Sequence, residues 1–271
     1  MALSDVSLTA GMRNNLLQLQ NTSASINRTQ ERLSTGKQVN SALDNPTNFF
    51  ASQAALNRAA DFSSRKDAMG EGIQNVKAAD AGITAITSLV SAAKGLAEAA
   101  LGTTNTTDRA AFAAQYDIMQ TQITQLSSDS GYRGTNLLNG DSLTVNFNEN
   151  ATSLITVAGF DSTATGLTLV PATGSWATAA NITTDQALLE TANTTLRSKS
   201  KDLAGNLNII TTRQTFTDSM ISTLQTGSDN LTLADMNKEG ANMLMLNTRN
   251  SLGTTALSLS SQAAQSVLKL F

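Results

Sequence analysis

The sequence predicts a mainly α fold. It is read as a long antiparallel, coiled-coil helical bundle with paired N- and C-terminal helices and a small β-hairpin insert. Three observations lead there. Apolar residues recur at alternating steps of three and four over most of the 271 residues. Pro46 and Pro171 are the only prolines, so long stretches are free of that helix breaker. Only between about 142 and 171 does the apolar period fall to two.

The first helix is expected over about 5–36. Met12, Leu16, Leu19, Ser23, Ile26, Gln30 and Leu33 have the spacing of an a/d seam. Gly36 is the C-cap candidate, and "STGKQVNSALDNP" reads as a hinge. A second helix follows over about 47–101, with a stripe running from Met69 through Val76, Ile83, Ile86, Val90 and Ala97 to Ala100. "GTTNTTD" ends it and offers Thr107 or Asp108 as N-cap for a third helix carrying Phe112, Tyr116, Met119, Ile123 and Leu126. "LTVNF", "SLITV" and "GLTLV" supply two to four short strands. From about Thr184 the helical period returns, from Leu189 and Leu196 through Leu203 and Ile210 to Leu224. "TGSDN" (226–230) is expected to break that helix and act as a second hinge. A last helix starts near 232. Leu252, Ala256, Leu259, Ala263, Val267 and Leu270 form one stripe on it, and Leu257, Ala264, Leu268 and Phe271 an adjoining one.

Composition narrows the function. No His or Cys is present, which removes imidazole bases, thiol nucleophiles, disulfides and the usual zinc ligands. No phosphate-binding glycine loop, dinucleotide fingerprint or nucleophile elbow occurs, so no cofactor is expected. Asp235, Lys238 and Glu239 are the nearest thing to an acid–base cluster, and at helical spacing they read as a solvated pair on one face. The chain is read as no enzyme. A net charge of −3 gives no electrostatic support for nucleic acid. No apolar run is long enough to span a membrane, and the last helix has too few Lys and Arg for a membrane-surface helix. The start lacks the basic and apolar regions of a cleaved signal. Charged residues make up 14%, against roughly 25% in ordinary soluble domains. Faces furnished with Ser, Thr, Asn and Ala suit contact with other subunits better than contact with water.

The plan is close to a palindrome. Residues 1–45 and 230–271 form a terminal-helix coiled coil, 46–141 and 184–229 a helical bundle, and 142–183 a β-rich insert. The last helix is expected to pack on the first, burying one stripe of each and leaving Leu257, Leu268 and Phe271 wet. Neighbouring copies would cover those residues, so the ends are expected to order on assembly. A head-to-tail contact of this kind generates helical polymers. The expected interface uses Met12, Leu16, Leu19, Ile26 and Leu33 with Leu252, Leu257, Leu259, Val267, Leu268, Leu270 and Phe271.

Three segments carry a family resemblance. "SINRTQERLSTGKQVNSALDNP" (25–46) strongly resembles the N-terminal signature of bacterial flagellins. "QNVKAADAGITAITSLVSAAKGLAEAALGT" (74–103) resembles the first long helix of the flagellin inner domain, and 242–271 the family's C-terminal helix. The resemblance implies a short flagellin without large outer domains, whose terminal helices form the inner tube of an extracellular flagellar filament. It implies unfolded export by the flagellar type III apparatus, an export chaperone on about 230–271, and contacts with hook-junction and cap proteins. A hook–filament junction protein of the same superfamily is the alternative. In flagellins sensed by the innate immune receptor, arginines and a leucine before the "GT" fill the receptor pocket. Here Ala92, Ala93, Gly95 and Leu96 occupy that segment, which implies weak recognition.

Overall fold

The computed structural model describes the backbone of residues 10–268 and the side chains of 10–266. Five α-helices and one two-stranded sheet follow in the order α1 (Ala10–Thr35), α2 (Pro46–Leu101), α3 (Thr106–Asp129), β1 (Ser142–Asn146), β2 (Leu154–Ala158), α4 (Ala179–Thr232) and α5 (Met236–Leu268). A 3-10 turn, Thr173–Trp176, precedes α4. Contacts divide the chain into two units: residues up to Asn57 with those from Thr223 onward, and Arg58–Ser222.

The Arg58–Ser222 unit holds the main core. Met69, Val76, Ile83, Ile86, Val90 and Ala97 of α2 are buried against Tyr116 and Ile123 of α3 and Leu189, Leu196, Leu203 and Ile210 of α4. These are the apolar stripes expected from the 3-4 spacing, and every one of them faces inward. α3 is capped one turn position earlier than expected. The Asn105 side chain accepts a hydrogen bond from the Thr107 N–H at 3.0 Å, so Asn105, and not Thr107 or Asp108, is the N-cap.

β1 and β2 pair antiparallel, with Leu143 opposite Val157 and Val145 opposite Ile155. Val145, Phe147 and Val157 are buried in the same core as the helices. The third expected strand, "GLTLV", is irregular. Its amides turn back on the local chain instead of joining a ladder: Leu167 N–H donates to the Thr163 carbonyl, Thr168 N–H to Thr165 and Leu169 N–H to Ala164, while α3 side chains hold the segment and its flanks, Gln120 donating to the Val170 carbonyl, the Thr124 hydroxyl accepting from Ala164 N–H and Asp117 accepting from Ala172 N–H. Next to it, buried Asp185 accepts from Thr173 N–H, the Thr173 hydroxyl and the Trp176 indole at 2.7–2.9 Å. That clasp holds Ser175 and Trp176 at positive φ and carries the chain into α4, which starts five residues before the expected Thr184.

In the other unit the expected break at "TGSDN" is absent, because α4 runs through to Thr232. The Ser228 hydroxyl is buried on the Ser52 hydroxyl at 2.7 Å, a tertiary contact that outweighs the modest helix cost of Gly227. The chain turns instead at 233–235, where Asp235 accepts from Asn237 and Lys238 N–H and caps α5. The first expected hinge is clasped to this turn. Gly36, at φ +70, ends α1, and a two-residue bridge pairs Lys37 with Leu233. Gln38 N–H donates to the Thr232 carbonyl at 2.7 Å and Ala234 N–H to the Gly36 carbonyl at 2.9 Å. Val39 is buried beneath this bridge.

Candidate assembly surface

α1 and α5 pack antiparallel, with Leu19 beside Gly253 at one end and Arg32 beside Glu239 at the other. Gly253 lets the helices approach closely: a Cβ there would stand 2.8 Å from Leu19 Cδ2. On α1 the inward stripe is Met12, Asn15, Leu19, Thr22, Ile26, Thr29 and Leu33, of which Thr22 and Thr29 are buried. Met12, Leu19, Ile26 and Leu33 were expected there. Leu16, Ser23 and Gln30 were too, and they are exposed, each one residue past the position that is used. The threonines fit because a hydroxyl can bond its own helix, as Thr22 does to the Gln18 carbonyl at 2.8 Å, leaving a methyl for the seam.

The inward face of α5 also differs from expectation. Met243, Leu246, Asn250, Gly253, Leu257 and Ala264 turn toward α1. Leu257, expected to be wet, is half-buried; Leu252 and Leu259, expected in the seam, are 65% and 62% exposed. The reason is geometric. The two stripes lie side by side, and the glycine at 253, together with small residues at 260, 261 and 264, permits the closer approach. The side chains of Val267 and Leu268, and residues Leu270 and Phe271, lie outside the described residues.

Glu239 is no part of a solvated helix-face pair. It is buried, 5% exposed, and its Oε1 accepts from Arg32 Nη1 at 3.2 Å, while Oε2 is buried with no hydrogen-bond partner. Sequence spacing could not have joined residues 207 positions apart.

What the pair presents outward includes an apolar stripe, with Arg13, Arg28, Glu31, Lys238 and Arg249 as its exposed charges among the described residues. Met245, Leu252 and Leu259 recur at seven-residue steps on α5, with Ala256 and Ala263 between or beside them. Leu16 and Leu17 are exposed on α1. Thr248, Ser251 and Thr255 on the outside of α5 bond carbonyls of their own helix. Their hydroxyls are thereby already satisfied, so covering them costs little. The charges a second helix packed here would meet are Arg13, one turn before Leu16 and Leu17, and Arg249, one turn before Leu252.

The segment compared above with a receptor-binding stretch sits on α2. Ala92 and Gly95 are exposed, Ala93 is buried and Leu96 packs partly against the core. Lys94 between them is held by Glu190 at 2.9 Å.

Residues 6–142 match the family described as the bacterial flagellin N-terminal helical region. The chain is 32% identical to flagellin FljM of Caulobacter vibrioides over 273 aligned residues, covering all of both chains. It is 29% identical to a flagellin of Brucella melitensis, over 93% of this chain and 94% of that one. Among solved structures it is similar to Bacillus cereus flagellin, at 18% identity and a TM-score of 0.47, covering 54% of this chain and 86% of the other.

Proposed function

The chain belongs to the bacterial flagellin family, whose members are structural subunits of the flagellar filament, and from that premise we propose that it polymerises head-to-tail through its paired terminal helices. The observation that carries this reading is the exposed, charge-poor stripe Met245–Leu252–Leu259 on the helix already paired with α1. Burying a leucine or methionine side chain gives about 1.5–3 kcal/mol each, repeated in every copy of a polymer. The terminal residues expected at the interface, Met12 through Phe271, act in two roles under this reading. Met12, Leu19, Ile26, Leu33 and Leu257 hold the helix pair together within a copy. Leu16, Leu252 and Leu259 face the next copy.

Export unfolded through the flagellar type III apparatus fits a chain with no cysteine to cross-link it and few charges on its terminal helices. A chaperone covering about 230–271 would shield the stripe before assembly. Contacts with hook-junction and cap proteins would reuse the same helices at the two ends of the polymer. Ala92 and Gly95 leave a smooth α2 surface, so weak engagement of the innate receptor is expected; activation by the purified protein at ordinary stimulatory concentrations would contradict it.

The test is negative-stain electron microscopy of the full chain and of a copy truncated at Gly253, both after salt-induced polymerisation. Long filaments from the full chain alone support the reading. Monomers or short rings from both would instead favour a hook–filament junction protein.

A further inference from the structure

Every sulfur in this chain is a thioether. The sequence holds eight methionines and no cysteine, so a mild two-electron oxidant finds no thiol to react with first. The single tryptophan, Trp176, is fully buried. Which methionine reacts is then decided by exposure. Met69 is fully buried, and Met12, Met119, Met220 and Met243 are half-buried. Among the described residues only Met245, 51% exposed, and Met236, 47% exposed, are open to water.

Those two methionines are equally accessible and differently placed. They lie nine positions apart on α5, about two and a half turns, so their side chains leave opposite sides of the helix. Met236 is the first residue of α5, next to the Asp235 cap and off the exposed stripe. Met245 heads that stripe, seven residues before Leu252 and fourteen before Leu259. A peroxide acts on both in the same way. The sulfur attacks one peroxide oxygen, an S–O bond forms as the O–O bond breaks, the sulfur gives up two electrons, and the other oxygen leaves as water. The product is a sulfoxide, in which a flexible apolar side chain has become polar and carries a strong hydrogen-bond acceptor. On Met236 that oxygen stays in water. On Met245 it stands in the apolar row that the next copy would cover, where an acceptor without a donor opposes burial.

Resting on the filament reading, we propose that Met245 is an oxidation site that controls assembly. Hydrogen peroxide converts it to the sulfoxide in the free chain, the oxidised chain is excluded from growth, and a chain already in the filament is shielded because its stripe is covered. Methionine sulfoxide reductases reverse the change, so an excluded chain is recoverable.

Peroxide treatment of the full chain tests this. Wild type, Met236→Leu and Met245→Leu are oxidised as monomers with hydrogen peroxide. Peptide mass locates the added oxygen, and circular dichroism and melting check that the fold is kept. Each treated protein is compared with the same protein untreated, so a variant's own growth is its reference. For wild type and Met236→Leu the critical concentration for filament growth should rise about tenfold or more, the scale of one lost apolar burial, and methionine sulfoxide reductase should restore it. For Met245→Leu it should stay within about threefold of the untreated value. In wild-type filaments treated after assembly, Met245 should gain oxygen at least about tenfold more slowly than in the monomer, a readout that needs no variant. Unchanged growth of wild type oxidised at Met245, an equal rise in Met245→Leu, or equal rates in monomer and filament overturns the proposal and leaves the filament reading standing. Absence of filaments from untreated wild type overturns both.

Discussion

Two buried polar atoms show how single residues tune the fold. The Tyr116 hydroxyl is buried beside Trp176, with ring centres 5.0 Å apart, and has no hydrogen-bond partner. Burial, the largest cause, pushes its pKa up to about 12. The folded state therefore keeps the proton longer than the unfolded chain, whose tyrosine titrates near 10. The stabilising contribution is complete below about pH 10 and is lost as the pH rises toward 12. Tyr116→Phe should be neutral to slightly stabilising at pH 7, within about 1 kcal/mol, and should flatten the loss of stability between pH 10 and 12 in urea melts. The Arg32–Glu239 pair behaves differently. Arg32→Met leaves a buried carboxylate without the guanidinium it pairs with and should cost about 2–3 kcal/mol, and Arg32→Met/Glu239→Leu should recover most of it. The readout is the melting of the α1–α5 pair.

At the scale of elements, legibility followed contrast. In α2 and α4 one face is apolar and the rest polar, so the stripes from Met69 to Ala100 and from Leu189 to Leu224 could be read directly from spacing. In α1 and α5 apolar residues lie on two faces. Leu16 beside Asn15, or Leu252 beside Gly253, gives spacing nothing to choose by, because one apolar face packs on the chain's own partner helix and the other stays exposed. The choice fell to residues whose value is steric: Gly253 admits Leu19, and Thr22 and Thr29 satisfy or tolerate burial where larger polar groups would not. "GLTLV" failed as a strand for a different reason, since the alternation was present but its amides bond back to the carbonyls of 163–165 and Gln120 holds the Val170 carbonyl. The bonds that clasp 36–39 to 232–234 join segments almost 200 residues apart, beyond any local signal. These differences predict a hierarchy. In the monomer, amides of α2 and α4 within the Arg58–Ser222 unit should exchange slowly and those of α1 and α5 orders of magnitude faster; in the filament both should be slow. Equal protection of all four helices in the monomer would contradict ordering on assembly.

For the whole molecule, the account rests on a division of labour. On the proposed reading, one face of each terminal helix holds the copy together and the exposed face holds copies to each other. The low charge content that set this sequence apart has a place in that scheme, because a polymer covers most of the surface of its inner helices and a charged face there would have to be desolvated in every copy. Ser and Thr in its place bond their own backbone and remain soluble in the monomer.

The most direct measurement is the critical concentration for filament growth of Leu252→Ser/Leu259→Ser in the full chain, beside the wild type. Both leucines are exposed in the single copy, so the monomer's melting temperature and helical content should be unchanged. Growth should require at least a hundredfold higher concentration, the equivalent of about 2.7 kcal/mol per contact. Filaments at the wild-type concentration would show that the face opposite the α1 seam is not the assembly face. A loss of monomer stability would show that those leucines belong to the seam after all.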